Sequence, residues 1–217
     1  VLFSDGSSIQ RQVAALLNYA EKTEAGLIAV SSHSRKGLKR WFLGSFTETL
    51  ALQSPIPLLV VNPRQRSEAK SQTILFATDF TDISKKGLRR VISSFPGKQP
   101  KIILFHTYLL PLQFSMEPFG SYPLPESLMR EKIGAIEEKA EEWCREMREK
   151  GIDCEFLLDR KSISIPDSIL SAIRRKKVGR VAMVSTVGRV GAVILGSATR
   201  EVLRNSPVPV WVVHPGN

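Results

Sequence analysis

The chain has 217 residues, enough for one large domain or for two modest ones with hydrophobic cores of their own. Apolar residues make up 42% of it and charged residues 24%, and no apolar run reaches the ~20 residues that a membrane-spanning helix needs, so we expect no membrane association. The net charge is +10, but the main basic clusters fall on predicted helix faces and ends without a nucleic-acid-binding motif, so nucleic acid is not an expected partner.

Two cysteines and three histidines are the side chains most relevant to metal or redox chemistry. Cys144 and Cys154 are too few for a disulfide framework and lack a metal-ligand spacing, so we expect buried, reduced thiols and a cytoplasmic location. His33, His106 and His214 fall on separate predicted elements. The sequence therefore predicts neither a metal site nor a catalytic triad.

Strand-like apolar runs alternate with helical patterns along the chain. In the first half (residues 1–63) the patterns predict strands at 1–3, 26–30 and 56–61 and helices at 9–22 and 45–53. The polar, proline-containing stretch 64–72 is typical of a linker. In the second half (residues 73–217) the predicted strands are 73–77, 101–107, 154–158, 179–184 and 208–213, with helices between them and a long apolar loop at 108–126.

This alternation predicts an α/β fold built from right-handed βαβ units. We expect tandem Rossmann-like domains with parallel five-stranded sheets, in the flavodoxin-like strand order 2-1-3-4-5 or a relative of it. The predicted division is the C-terminal portion of a first domain at 1–63, a linker at 64–72 and a second domain at 73–217.

The chain contains one stretch twice. Residues 43–63 and 195–215 align at a constant offset of 152 positions, with ten of twenty-one residues identical. Each copy reads Leu-Gly-Ser, a helical pattern, Ser-Pro and a Val-rich strand closed by proline. Such a long period indicates a duplicated domain. Because the second copy shows five strands and the first only three, repeat arithmetic predicts about 80 further residues upstream, or strands supplied by another chain.

The Gly-Ser pair that opens each repeated helix is typical of an anion site. Free N–H groups and the positive end of the helix dipole converge there, and the hydroxyl adds a donor. The candidate phosphate-binding residues are therefore Gly44 and Ser45 in the first copy and Gly196 and Ser197 in the second.

The stretch 31–48 resembles the nucleotide loop of universal stress proteins, in which glycines stand at three spaced positions and Ser or Thr follows the last. In this sequence Ser31, Ser34, Gly44 and Ser45 fall at that spacing, with Arg35 and Lys36 inside the loop. In the second copy valines, Val184 and Val187, stand where the first two glycines belong, and the loop is one residue shorter. The resemblance implies an adenine nucleotide alpha hydrolase-like fold and adenine nucleotide, ATP, as the ligand.

Two further residues match the sugar and base end of the family's site. By the resemblance, Asp79 corresponds to the aspartate that faces the ribose, and Thr107 to the residue whose backbone meets adenine. A carboxylate suits vicinal hydroxyls because it accepts two hydrogen bonds. The alternative for Asp79 is a helix N-cap, since a helical pattern follows it. Neither half offers a complete nucleotide site.

Three functions follow from this resemblance. The first is a non-enzymatic universal stress protein that acts as a regulatory or interaction module with degenerate nucleotide sites, and the second is an ATP-binding member with weak or no hydrolysis. The third, an enzyme of the ATP-pyrophosphatase type, ranks last because 77–84 (ATDFTDIS) lacks a glycine-rich phosphate loop. The relatives dimerise through their last strand, so we expect an intramolecular pseudo-dimer joined by 56–61 and 208–213, with Trp211 in the seam; further homo-oligomerisation is left open.

Overall fold

A computed structural model of the chain describes residues 8–31, 44–62, 71–95, 97, 99–109, 125–187 and 193–214. Four sequence predictions lie wholly or mostly outside these residues. They are the strand at 1–3, the first-half loop with Ser34, Arg35 and Lys36, the linker at 64–72 and the apolar loop at 108–126.

Nine strands and six helices form the described structure. The strands are β1 (Ile28–Ser31), β2 (Leu58–Val61), β3 (Ile74–Ala77), β4 (Ile102–Thr107), β5 (Cys154–Asp159), β6 (Arg180–Val184), β7 (Thr186–Val187), β8 (Val193–Ile194) and β9 (Val210–Val213). The helices are α1 (Ile9–Lys22), α2 (Ser45–Gln53), α3 (Asp82–Ser93), α4 (Glu126–Glu149), α5 (Ile165–Lys176) and α6 (Ser197–Asn205).

Seven of these strands form one sheet in the order β1-β2-β9-β6-β3-β4-β5. The five strands that the second half contributes to this sheet, β3, β4, β5, β6 and β9, are mutually parallel, which confirms the predicted α/β class and the parallel five-stranded sheet. Their order is 3-2-1-4-5, a relative of the flavodoxin-like order 2-1-3-4-5 and not that order itself. The chain steps outward from β3 to β4 and β5 and then crosses back to β6, on the other side of β3. The strand order therefore reverses between β3 and β6.

The two halves meet along β2 and β9. These strands pair antiparallel, with Leu58 opposite Val212, Leu59 opposite Trp211 and Val60 opposite Val210. The antiparallel pairing predicted between the two Val-rich strands is therefore present. Because β1 is parallel to β2, both first-half strands run opposite to the other five strands of the sheet.

The sheet is covered on both faces, because alternate residues of each strand point to opposite sides. On one face Leu58, Leu75, Phe105 and Val181 pack in a core with α1, α2, α5 and α6. On the other face the neighbouring strand residues, such as Phe76, Leu104 and Trp211, pack against α3 and α4. The result is a three-layer arrangement of helices, sheet and helices.

The repeated Ser-Pro signal ends both repeated helices in the same way. Ser54 follows α2 and its hydroxyl donates to the carbonyl of Ile56, at 2.7 Å. Ser206 follows α6 and donates likewise to Val208, at 2.6 Å. A residue before proline is disfavoured in helical conformation, so both helices stop there. One predicted boundary differs by one residue: the loop was predicted to extend through 126, whereas α4 begins at Glu126, directly after Pro125.

Within the described residues, no helix combines the length and the apolarity needed to cross a bilayer.

Candidate functional site

A cleft of about 290 Å³ opens at the carboxyl ends of β3, β4 and β6. This is where the strand order reverses, the position at which open α/β sheets bind ligands. Its walls come from these three strand ends and from α3, α5 and α6: Ala77, Thr78, Asp79, Ile83, Ser84, Phe105, His106, Thr107, Ile165, Ile169, Met183, Val184 and Ala198. The cleft thus brings together two of the predicted site residues, Asp79 and Thr107.

Asp79 is held in place by the first turn of α3. Its Oδ1 atom accepts hydrogen bonds from the Thr81 amide (3.1 Å), the Thr81 hydroxyl (2.7 Å) and the Ser84 hydroxyl (2.5 Å). The N-cap of α3 is Thr81, whose hydroxyl accepts from the Ser84 amide. The alternative of Asp79 as N-cap is therefore wrong, because Asp79 instead braces the residue that caps the helix.

Phe80 takes an unusual backbone conformation beside this carboxylate. Its φ is +57°, in the left-handed region that a bulky residue rarely adopts. Its amide donates to the Thr78 hydroxyl at 2.9 Å, and its ring is buried. Three aromatic rings lie 5.0–5.8 Å from it, those of Trp143, Phe156 and His106. Strain of this kind persists only where packing fixes it, and here it directs Asp79 toward the cleft.

Asp79 stays ionised at neutral pH. Partial burial is the largest single influence and raises its pKa, but the hydrogen bonds from Ser84 and Thr81 together outweigh it and lower the pKa. An ionised carboxylate can only accept hydrogen bonds, and Oδ2 takes no part in the three described above. The side chain therefore suits a pair of hydroxyl donors and makes a poor general base.

Three side chains connect β4, α5 and β5 at the far wall of the cleft. The Thr107 hydroxyl donates to Ser168 at 2.9 Å, and the Ser168 hydroxyl donates to Oδ2 of Asp159 at 2.5 Å. Asp159 also accepts from the amide of Lys161 and the hydroxyl of Ser162. Burial raises the pKa of Asp159, but these hydrogen bonds lower it more, to about 2. Sequence reasoning missed Ser168 and Asp159, since no local spacing links them to Thr107.

The second-half loop differs from an open phosphate loop. Val184 lines the cleft, and its side chain packs directly over Gly87 of α3. After it, β7 and β8 form a small antiparallel ladder, with Thr186 opposite Ile194 and Val187 opposite Val193. Gly196 and Ser197 do begin α6, as predicted, yet of the first residues of this helix it is Ala198 that lines the cleft.

The sequence model of the universal stress protein family matches the chain over two segments, residues 10–62 and 70–214. The chain belongs to the universal stress protein family. No match was found among curated proteins.

Solved structures of similar fold include members of the same family. A universal stress protein from Archaeoglobus fulgidus DSM 4304 is 22% identical, with a TM-score of 0.60, and the match covers 94% of this chain and 67% of that one. A protein of unknown function from Pseudomonas aeruginosa PAO1 is 16% identical, with a TM-score of 0.64, covering 97% and 69%. A family member from Burkholderia pseudomallei is 14% identical, with a TM-score of 0.50, covering 65% and 95%. At these identities the likeness concerns the fold.

The described first-half site residues of this universal stress protein lie away from the cleft. Ser31 ends β1, and Gly44 and Ser45 begin α2, where Ser45 is exposed. Because β1 and β2 run opposite to the second-half strands, their carboxyl ends point to the opposite end of the sheet. These three residues therefore do not share a site with Asp79 and Thr107.

A buried Ser–His pair lies between β6 and β9. Ser185 Oγ and His214 Nδ1 are 2.5 Å apart, and both residues are buried, outside the cleft. Burial lowers the pKa of His214, and the charge of Arg90, which donates to the His214 carbonyl, lowers it further. The pair thus ties the ends of two strands together rather than facing a substrate. The described residues contain no group of three or more His, Cys, Asp or Glu placed to hold a metal ion.

Proposed function

We propose that this universal stress protein is a non-enzymatic regulatory module whose second half binds the nucleoside part of an adenine nucleotide and lacks a working phosphate loop. The observation that carries the proposal is the cleft where the strand order reverses. Asp79 and Thr107 both line it, and so does Val184, which stands where the family's nucleotide loop has a glycine.

The cleft suits a nucleoside in size and in chemistry. Its volume of about 290 Å³ is at the lower end of the range for small-molecule sites. Apolar side chains from several elements offer a surface for a flat base, among them Ile165 and Ile169 of α5 and Met183 of β6. Asp79 at the mouth, anchored through Oδ1, leaves Oδ2 to accept hydrogen bonds from ribose hydroxyls.

The phosphate end lacks the matching groups. The described residues that line the cleft include no Lys or Arg, and their one carboxylate, Asp79, repels phosphate. The ladder of β7 and β8 also engages backbone groups that a phosphate-cradling loop would present to its ligand. Each charge-assisted contact that is lost weakens binding by roughly 1.5–3 kcal/mol, so the phosphates add little affinity here.

The protonation state of the carboxylates supports the proposed non-enzymatic role. The pKa of Asp79 is lowered and that of Asp159 is about 2, so both are weak bases at neutral pH. Asp159 is also committed to Ser168 and Ser162. A bound nucleoside would therefore act as a signal rather than as a substrate.

The assembly we propose is an intramolecular pseudo-dimer of the two halves, divided at 1–63, 64–72 and 73–217. The antiparallel pairing of β2 with β9 supports it, since this pairing covers an apolar strand edge of each half. Cys144 and Cys154 are buried and form no disulfide, which is compatible with a reducing, cytoplasmic setting.

Calorimetric titration of the full chain with adenosine tests the proposed site. We expect measurable binding that Asp79→Asn weakens about tenfold or more, because a carboxylate accepts stronger hydrogen bonds than an amide. Asp153→Asn is the matched control, because Asp153 precedes β5 at the opposite end of the sheet and its side chain is 70% exposed. Circular dichroism checks that each variant is folded. Absence of adenosine binding to the wild type, or equal affinity for Asp79→Asn, would contradict the proposal.

A further inference from the structure

The two cysteines of the chain lie against each other in the core between the sheet and α4. Their Sγ atoms are 2.8 Å apart, and both residues are buried, Cys144 on α4 and Cys154 at the start of β5. Neither residue contributes to the cleft. β5 is the outermost strand on its side of the sheet, so this contact joins a helix to a sheet edge.

The turn between α4 and β5 fixes this approach. Gly151 takes a left-handed conformation (φ +74°), and its amide donates to the carbonyl of Arg148 at 2.9 Å. The next amide, of Ile152, reaches back to Met147 at 3.0 Å, which closes the end of the helix. Both Met147 and Ile152 are buried in the same core as the cysteines. The two thiols are thus brought together by a turn with a single defined geometry.

The environment makes the two thiols unequal. The hydrogen bond from Cys154 lowers the pKa of Cys144, burial opposes this, and the charge of Arg148 lowers it further. The same hydrogen bond together with burial raises the pKa of Cys154. Arg148 is also bonded to the strand itself, since its Nη2 atom donates to the Cys154 carbonyl at 3.2 Å. Cys144 is therefore the thiol that loses its proton more readily, and Cys154 the one that retains it.

We propose that Cys144 and Cys154 form an oxidant-responsive disulfide site, with a small peroxide as the oxidant. The disulfide requires the sulfur atoms to approach from 2.8 Å to about 2.0 Å, a shift that side-chain rotation can provide. This is a modification site separate from the nucleoside cleft.

The chemistry balances as a two-electron oxidation. The Cys144 thiolate attacks one oxygen of hydrogen peroxide, breaking the O–O bond to give a sulfenic acid and hydroxide. The Cys154 sulfur then attacks the Cys144 sulfur, forming the S–S bond and expelling hydroxide, while the Cys154 thiol gives up its proton. In total two thiols lose two electrons and two protons, and one peroxide becomes two waters. β5 is an edge strand, and local opening of such an element is the route by which a small oxidant can reach a buried thiol.

The test treats the folded full chain with hydrogen peroxide, blocks free thiols with N-ethylmaleimide under denaturing conditions, and maps tryptic peptides by mass. Trypsin cuts after Arg145, Arg148 and Lys150, so the Cys144 and Cys154 peptides stay together only if a disulfide links them. We expect the linked peptide to appear in a monomeric chain and to disappear on reduction. Two alkylated thiols after treatment, or a disulfide-linked dimer on a non-reducing gel, would overturn the proposal.

The single variants test the assigned roles. In Cys154→Ser, Cys144 has no resolving thiol, so a dimedone probe should trap its sulfenic acid. In the matched control Cys144→Ser, the remaining Cys154 should be labelled several-fold less. Equal labelling, or stronger labelling of Cys144→Ser, would contradict Cys144 as the attacking group.

Discussion

Leu59 and Trp211 lie opposite each other on β2 and β9, and they are equivalent positions of the two repeats, 152 residues apart. A local two-fold axis must therefore pass between them. Glu48 and Arg200, also 152 residues apart, form an ion pair of 3.1 Å between α2 and α6. In a symmetric dimer each of these residues would face its own copy. Here Leu59 faces the larger Trp211, and the anion Glu48 faces the cation Arg200. These differences favour pairing of the first half with the second over pairing of two identical halves.

Trp211→Asp should weaken the pairing of β2 with β9, the seam between the two halves. Trp211 is buried and packs edge-on against Phe95, with ring centroids 5.4 Å apart, so an unpaired charge there should lower the free energy of unfolding by about 3–5 kcal/mol. Trp143→Asp is the control, because Trp143 is equally buried but lies on α4. Hydrogen exchange should show loss of protection at 58–60 chiefly in Trp211→Asp. Retained protection there would mean that the seam does not depend on Trp211.

Exchanging the charges of Glu48 and Arg200 tests whether the ion pair between these two equivalent positions contributes to stability. Glu48→Arg and Arg200→Glu should each reduce stability by roughly 0.3–1 kcal/mol, because the pair is partly exposed and each single change creates like charges. The double exchange should recover most of that loss. Urea denaturation of the four proteins gives the coupling energy. Strictly additive effects would show that the two side chains do not interact in solution.

Two helical glycines should respond in opposite ways to alanine. At Gly87 an added Cβ would overlap the side chain of Val184, so Gly87→Ala should cost about 1–3 kcal/mol, and Val184→Ala should relieve part of that cost. At Gly134 nothing lies within 4 Å, so Gly134→Ala should stabilise α4 by about 0.5–1 kcal/mol. Thermal unfolding distinguishes the two. If Gly87→Ala left the thermal stability unchanged, α3 would not pack as closely against Val184 as described.

Asp159 should make stability depend on pH in the acid range. Its pKa is about 2 in the folded chain and ~3.9 when unfolded, so its contribution is present above pH ~4 and is lost as the pH falls toward ~2. At neutral pH Asp159→Asn should lower the free energy of unfolding by at most about 2 kcal/mol, because solvent screening reduces the effect of this partly exposed carboxylate. The difference from wild type should shrink between these pH values, whereas exposed Asp153→Asn should show little effect. A pH-independent difference would rule out ionised Asp159 as its source.

Local signals predicted much of the fold. α1 and α2 occur at the predicted residues, because Ser8 caps the first and the Ser-Pro pair ends the second. The order 3-2-1-4-5 was not predictable from these signals, because which strands become neighbours depends on packing between distant segments.

The candidate site was predictable only in part. The resemblance placed Asp79 and Thr107, and the structure puts both in one cleft. The left-handed Phe80 has no sequence signal, since nothing local favours φ > 0 for an aromatic residue. The contacts of Thr107 with Ser168, and of Cys144 with Cys154, arise from the folding of a helix onto the sheet, which residue spacing does not encode.

In the proposed site the nucleoside end is retained and the phosphate end is lost. Calorimetric titration of the full chain with adenosine and with ATP measures how much the phosphates add to binding. We expect dissociation constants within about tenfold of each other, a difference below ~1.4 kcal/mol. Binding of ATP 100-fold or more tighter than that of adenosine would contradict it.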